Sequence, residues 1–245
     1  MPSTPSLAQL RARIAALEGL GREAVGGVLP FGLPAVDAAL PGGGVSLGGL
    51  HEIQPLTRAV EPALGFAVVW LGRLAVHHAR PVLWVTTGGE PYAPALAALG
   101  LPPARLLVAR PTGRAQLLWA METALQCPGL AGVAGEVRDL DLTAARRLQL
   151  AARASGVTGL MINTGDGTNN AVSRWRVGPA ASAGAGVGSW RWRLRLVRCR
   201  GRGAGEDEWL VEWNDATRGL RLAALAADLR RMVAAGQGRD LDVSA

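Results

Sequence analysis

Arginine supplies most of the chemistry available to this 245-residue chain: lysine is absent, and all 26 basic side chains are guanidinium groups. Eight of them, Arg174, Arg176, Arg191, Arg193, Arg195, Arg198, Arg200 and Arg202, fall between Ala171 and Gly205, a stretch that holds no acid. A guanidinium is planar, permanently charged and shaped to grip phosphate oxygens. Its density here, with a net charge of +7, favours acidic partners, nucleic acid foremost, with single-stranded DNA as the expected ligand. In the run from Trp190 to Val197, Trp190, Trp192, Leu194 and Leu196 alternate with Arg191, Arg193 and Arg195. On a strand this buries the apolar set and sets the three arginines about 7 Å apart on the other face, near the phosphate repeat of one nucleic-acid strand. Arg174 and Arg176 flank Trp175 in the same manner. Five acids follow within ten residues, Glu206, Asp207, Glu208, Glu212 and Asp215. A hairpin would set Glu208 and Glu212 against the arginines as cross-strand pairs. Arg198, Arg200 and Arg202 are then the candidates for the surplus positive charge.

Other chemistries are poorly served. Without lysine there is no Schiff-base catalysis and no G-x-x-x-x-G-K-[ST] phosphate loop. No G-x-S-x-G nucleophile elbow occurs. Two cysteines, Cys127 and Cys199, and three histidines make neither a disulfide framework nor a metal cluster. His51-Glu52 reads as part of a strand, and His77-His78 as a solvated pair at a helix end. No catalytic residue, metal or cofactor is implied. The apolar stretch from Leu64 to Val76 is interrupted by Gly65, Gly72 and Arg73, which suits a buried helix better than a membrane span. With no signal-peptide pattern, the reading is a cytoplasmic, nucleoid-associated protein with no membrane contact.

The elements that would position these side chains alternate from residue 29 onward. Strands are expected at Gly49–Ile53, Val82–Thr86, Arg105–Ala109, Gly132–Val137 and Gly159–Asn163, with helices near 63–78, 91–99, 114–126 and 142–154. That order predicts an α/β fold, a three-layer core around a mostly parallel sheet. Strands at Ser173–Val177, Trp190–Arg198 and Trp209–Trp213 then add a C-terminal antiparallel hairpin. Residues 1–22 read as an N-terminal helix with Leu7, Leu10, Ile14, Leu17 and Leu20 along a narrow apolar seam. Residues 218–245 read as a basic helix, roughly 218–234, bearing Leu222, Leu225 and Leu229 on one face, followed by a polar tail. Both helices are candidate partner-docking surfaces, set around a core at 23–217.

The segments LPFGLPAVDAALPGGGVSLGGLHEI (29–53) and GEPYAPALAALGLPPARLLVARPTGRAQLLWAMETAL (89–125) resemble the core of RecA-type ATPases. So do AGVAGEV (131–137) and GLMINT (159–164). More closely, LPFGLPAVDAALPGGG, LDLTAARRLQLAARASGVTGL, SRWRV and WRWRLRLVRCRG…EWLVEW are similar to the ImuA family of RecA-like accessory proteins. This resemblance implies a role in the SOS response, in error-prone translesion synthesis across DNA damage. The implied partners are an ImuB-type protein and an error-prone replicative-type polymerase, with RecA itself as a further contact. It also implies a RecA-like core in which Glu90 matches the catalytic glutamate, Glu136 the Walker B carboxylate, and Thr164 the strand-end glutamine. The phosphate loop, however, reads QPLTRAVEPALGF (54–66), with no glycine between Gly49 and Gly65 and with Pro55 and Pro62. Such a loop cannot converge successive N–H groups on an anion. Glu90 and Glu136 are accordingly vestigial, and the reading is a non-hydrolysing adaptor, not an enzyme. Two alternatives are a cell-division inhibitor resembling SulA and a DNA-stimulated ATPase with an unconventional nucleotide site.

Overall fold

The computed structural model describes residues 27–89, 91–165, 170–181, 190–202 and 207–223. Its centre is a sheet built from β3 (Leu50–Pro55), β4 (Val82–Val85), β5 (Leu106–Ala109), β6 (Gly132–Val137), β7 (Thr158–Asn163), β8 (Ser173–Pro179), β9 (Arg191–Cys199), β10 (Asp207–Asn214) and β11 (Gly219–Leu222). The spatial order is β11-β10-β9-β8-β3-β7-β6-β4-β5. From β8 to β5 every neighbouring pair is parallel; β8 with β9, β9 with β10 and β10 with β11 are antiparallel. A small pair precedes it, β1 (Val28–Leu29) against β2 (Val45–Ser46).

Helices cover both faces, which is why β4 and β7 read as nearly unbroken apolar runs. On one face lies α2 (Glu61–His78), whose Phe66, Trp70, Leu71 and Leu74 are fully buried. On the other lie α4 (Arg114–Leu125) and α5 (Leu142–Ser155), packing Leu117, Met121, Leu125 and Leu148 over β6 and β7. The short helices α1 (Pro34–Asp37) and α3 (Ala93–Ala98) complete the set. Local signals set the ends of α5: Asp141 caps it by accepting the Ala144 N–H at 2.8 Å, and Gly156 ends it at φ 79°. The three-layer α/β class expected from the sequence is the one observed.

The FGLPAVD run has a visible purpose. Asp37 accepts the amides of Phe31 and Leu33 at 2.6 and 3.0 Å and closes this turn on itself. That seats Phe31 among Phe66, Trp70 and Trp175, with ring centroids 5.1–5.5 Å away. Beside this aromatic cluster runs a neutral relay. His51 is buried, its Nε2–H donates to the Ser46 carbonyl at 2.8 Å, and its Nδ1 accepts from Ser173 Oγ at 2.7 Å. Ser173 Oγ in turn accepts the Trp175 indole N–H at 2.8 Å. The carbonyl can only accept, so the tautomer follows. Burial pushes the His51 pKa down to about 4, against a smaller opposing pull from its bond to Ser46.

One expectation is corrected. Residues 219–222, expected to open a basic helix, form β11 instead, paired with β10 from Val211↔Leu222 to Asn214↔Gly219. Leu222 therefore belongs to a sheet edge, and it is 41% exposed there. The bias of Gly219–Leu222 toward either state is too short to decide it; hydrogen bonding to the β10 edge does. Leu225, Leu229 and the N-terminal seam of Leu7, Leu10, Ile14 and Leu17 lie outside the described residues, as does Glu90.

Candidate nucleic-acid interface

The alternation expected in β8 and β9 is present. Trp175, Val177, Trp192, Leu194 and Leu196 are buried in the core on the α2 side, so the intervening arginines face the opposite way. Cross-strand register then collects charged residues on one sheet face. Glu52 of β3 stands beside Arg174 of β8, Arg176 beside Arg195 of β9, and Arg195 beside Glu208 of β10. Glu212 of β10 lies between Arg191 and Arg221. Val197 is an extra residue in β9, because Arg174 pairs with Arg198 while Trp175 pairs with Leu196. This bulge returns Arg198 to the arginine face. Seven arginines (174, 176, 191, 193, 195, 198 and 221) thus share this face with Glu52, Glu208 and Glu212.

Many of these charges are paired. Arg195 and Arg193 reach Glu208 at 2.8 and 3.2 Å, and Arg191 and Arg221 reach Glu212 at 3.1 and 3.0 Å. Burial alone would raise the Glu212 pKa, but hydrogen bonds from Arg221 and Arg191 outweigh it and hold the carboxyl below its usual range. Exposure grades along the face: Arg191 is 9% exposed, whereas Arg193, Arg195 and Arg221 are 41%, 35% and 58%. The helices α4 and α5 pack on β3, β4, β6 and β7, leaving the face of β9–β11 without a described helix. Near the turn, Arg202 pairs with Asp207, and Arg200 donates to the Asn170 carbonyl at 3.4 Å. Cys199 sits beside them with its thiol pushed up to about 11 by burial, against the opposing pull of Arg202 and Arg198, so it stays protonated at neutral pH.

At the inner edge of this face the polar residues become buried. Glu52 is fully shielded; it accepts from Arg174 Nε at 2.5 Å, Asn163 Nδ2 at 2.7 Å and Gln54 Nε2 at 3.1 Å. Above this network opens a cavity of about 510 Å³ at the carboxyl ends of β3, β7 and β8. Its walls include Gln54, Thr57, Arg58, Arg138, Asn163, Thr164, Gly165 and Arg176. This is the end of the sheet where α/β proteins bind ligands. Sequence reasoning passed over Glu52, Gln54, Asn163, Arg58 and Arg138. The available signal was HEIQ, a polar run inside a strand that should be wholly apolar.

Two amides of the segment between β3 and α2 are committed to protein oxygens, and Pro55, at the end of β3, offers none. Pro55 has no N–H, the Leu56 amide bonds the Val177 carbonyl at 2.8 Å, and the Ala59 amide bonds Thr57 Oγ1 at 3.2 Å. The Leu56 side chain packs so closely on β8 that a Cβ at Gly178 would lie 2.8 Å from it. At the start of α2 stand Glu61 and Pro62, with no side-chain cap from Val60. Glu136 accepts the Trp84 indole N–H at 3.1 Å and does not line the cavity. Thr164 does line it. Among the described residues no group of three or more His, Cys, Asp or Glu is placed to hold a metal ion, and no described helix is long and apolar enough to cross a membrane.

Fold and site together define a three-layer α/β protein with an arginine-rich antiparallel extension and no glycine between Gly49 and Gly65, in the segment that follows β3. No protein-family model matches the chain. It is similar to Protein ImuA of Caulobacter vibrioides strain NA1000 / CB15N, 36% identical over 172 residues that span 63% of this chain and 70% of the relative. Protein ImuA of strain ATCC 19089 / CIP 103742 / CB 15 matches to the same extent. The chain belongs to the ImuA family.

Proposed function

We propose that this protein is a non-catalytic accessory factor of damage-induced mutagenesis. In this reading it links an ImuB-type protein and an error-prone polymerase to single-stranded DNA at lesions, with RecA as a further contact. The observation that carries the reading is the arginine face of β9–β11, where guanidinium groups outnumber carboxylates on a face of the sheet that no described helix covers. Such a surplus attracts a polyanion and releases its counterions on binding. Membership in the ImuA family supports the assignment to damage-induced mutagenesis. The amides of Leu56 and Ala59, committed to protein oxygens, support the absence of ATP turnover.

Arg193→Ala with Arg195→Ala tests the DNA contact. The expected result is weaker, less salt-dependent binding of oligo(dT), with the log–log salt slope falling by roughly 1.4 for two lost phosphate contacts. Unchanged affinity and slope would remove this face from the interface. Co-purification of the full-length chain from damaged cells tests the adaptor role, and capture of neither an ImuB-type protein nor a polymerase counts against it. Docking through Leu7, Leu10, Ile14 and Leu17 predicts that deleting residues 1–22 abolishes one of those associations. Loss on truncation after Ala223 would place another beyond it, toward Leu225 and Leu229.

A further inference from the structure

The cavity at the carboxyl ends of β3, β7 and β8 is lined by three arginines from three separate elements. Arg58 comes from the segment after β3, Arg138 from the end of β6, and Arg176 from β8. No carboxylate lines it among the described residues. Glu52, below the floor, is already matched by Arg174. Among the described residues, Arg176 donates to the Gln54 amide oxygen at 3.3 Å. Arg138 has one long, exposed contact to Asp139 at 3.7 Å, and such a pair contributes little. No carboxylate pairs with Arg58 among the described residues. Three cations around one cavity repel each other, and an anion between them turns that repulsion into charge-assisted hydrogen bonds.

We infer that this cavity is a phosphoryl-binding site, in which the guanidinium groups of Arg58, Arg138 and Arg176 take the role that a glycine-rich loop gives to backbone amides. Thr57 and Thr164 add hydroxyl donors at the wall. A volume of about 510 Å³ admits one nucleotide unit. The shared chemistry is a phosphate ester, and it has two sources: the backbone of single-stranded DNA continuing from the arginine face through Arg176, or a free nucleotide. The guanidinium groups neutralise the phosphate themselves, so binding needs no divalent cation. The DNA source rests on the proposed function; the free-nucleotide source does not.

The test uses the full chain, with calorimetric titration of inorganic pyrophosphate and ADP in EDTA and fluorescence anisotropy of oligo(dT). Arg58→Ala with Arg138→Ala changes exposed side chains only, and an unchanged melting temperature verifies folding. The expected result is saturable pyrophosphate binding in EDTA that weakens at least tenfold in this double variant. It should be untouched by Arg193→Ala with Arg195→Ala. If oligo(dT) affinity also falls in the cavity variant, DNA is the source; if only pyrophosphate and ADP respond, the free nucleotide is. In the second case the site stands even where the DNA reading fails. Absence of pyrophosphate binding, a strict magnesium requirement, or indifference of all three probes to Arg58→Ala with Arg138→Ala overturns the inference. The DNA reading survives that outcome if the sheet-face variant still lowers oligo(dT) affinity.

Discussion

The two faces of β8 and β9 are written by the same alternating residues and obey different physics. Toward α2, Trp175, Trp192, Leu194 and Leu196 join a dry cluster in which even the polar groups are neutral: His51, Ser173 and the Trp175 indole satisfy one another. Away from α2, Arg174, Arg191, Arg193 and Arg195 meet Glu52, Glu212 and Glu208; the Glu52 and Glu212 pairs are buried, and the Glu208 pairs farther along β9 and β10 are exposed. The dry face holds its shape by exclusion of charge. The wet face holds charge where cross-strand register supplies a partner.

The strongest way to break this contrast is at its buried end. Arg174→Ala leaves Glu52, 0% exposed, without its counter-charge. The expected cost is roughly 3–5 kcal/mol of unfolding free energy, read as a lower urea midpoint. Replacing both, Glu52→Met with Arg174→Met, should recover most of that loss, because a matched apolar pair is often neutral relative to a buried ion pair. A double variant no more stable than Arg174→Ala would show that Glu52 serves Asn163 and Gln54 more than Arg174.

On the dry face the sensitive group is His51. It is neutral in the fold, with its pKa at about 4, and titrates near 6.5 in the unfolded chain. The unfolded state therefore binds the proton first as pH falls. The stability that neutral His51 preserves is fully present above pH 6.5 and is lost progressively down to about pH 4. This group accounts for about 3 kcal/mol over that window. Urea midpoints at several pH values should show the loss, and His51→Gln should flatten it. An equal slope in His51→Gln would move the effect to other groups. Smaller still is Gly72→Ala in α2. Helix propensity favours alanine by about 1 kcal/mol, but the new Cβ would lie 2.7 Å from the Gly100 carbonyl oxygen. Backbone cannot yield as a side-chain end can, so a net loss of roughly 1–2 kcal/mol is expected, seen as a lower melting temperature.

What the sequence made legible follows the same division. β6, expected at Gly132–Val137, forms there, and α2, α4 and α5 begin and end within two residues of expectation. Periodicity, proline and glycine fix such elements locally. The tryptophan–arginine alternation likewise displays both faces of β9 in the chain alone. Three features were not legible because no short window contains their cause. β11 depends on a free edge at β10. The Glu52 network depends on Asn163 and Arg174, more than a hundred residues away. The basic cavity depends on Arg58, Arg138 and Arg176, none close in sequence to the others. The expected hairpin pairing of Glu208 and Glu212 with arginines is present, whereas which arginine meets which carboxylate is decided by cross-strand register.

The exposed end of the wet face gives the finest discrimination, because there the structural and functional readings predict opposite signs. Glu208 is 39% exposed and shared by Arg193 and Arg195. If these contacts only hold the hairpin together, Glu208→Gln weakens it slightly, and DNA affinity stays where it was or falls. If the face binds phosphates, Glu208 competes with DNA for both guanidinium groups. Glu208→Gln should then tighten oligo(dT) binding roughly two- to fivefold, the equivalent of ~0.4–1 kcal/mol for an exposed pair. The urea midpoint should barely move. The salt slope should steepen, because two guanidinium groups become available to displace counterions. Tighter binding together with a steeper slope is an outcome that a purely structural ladder cannot produce, and a loss of affinity with no change in slope would return Glu208 and its two arginines to the fold.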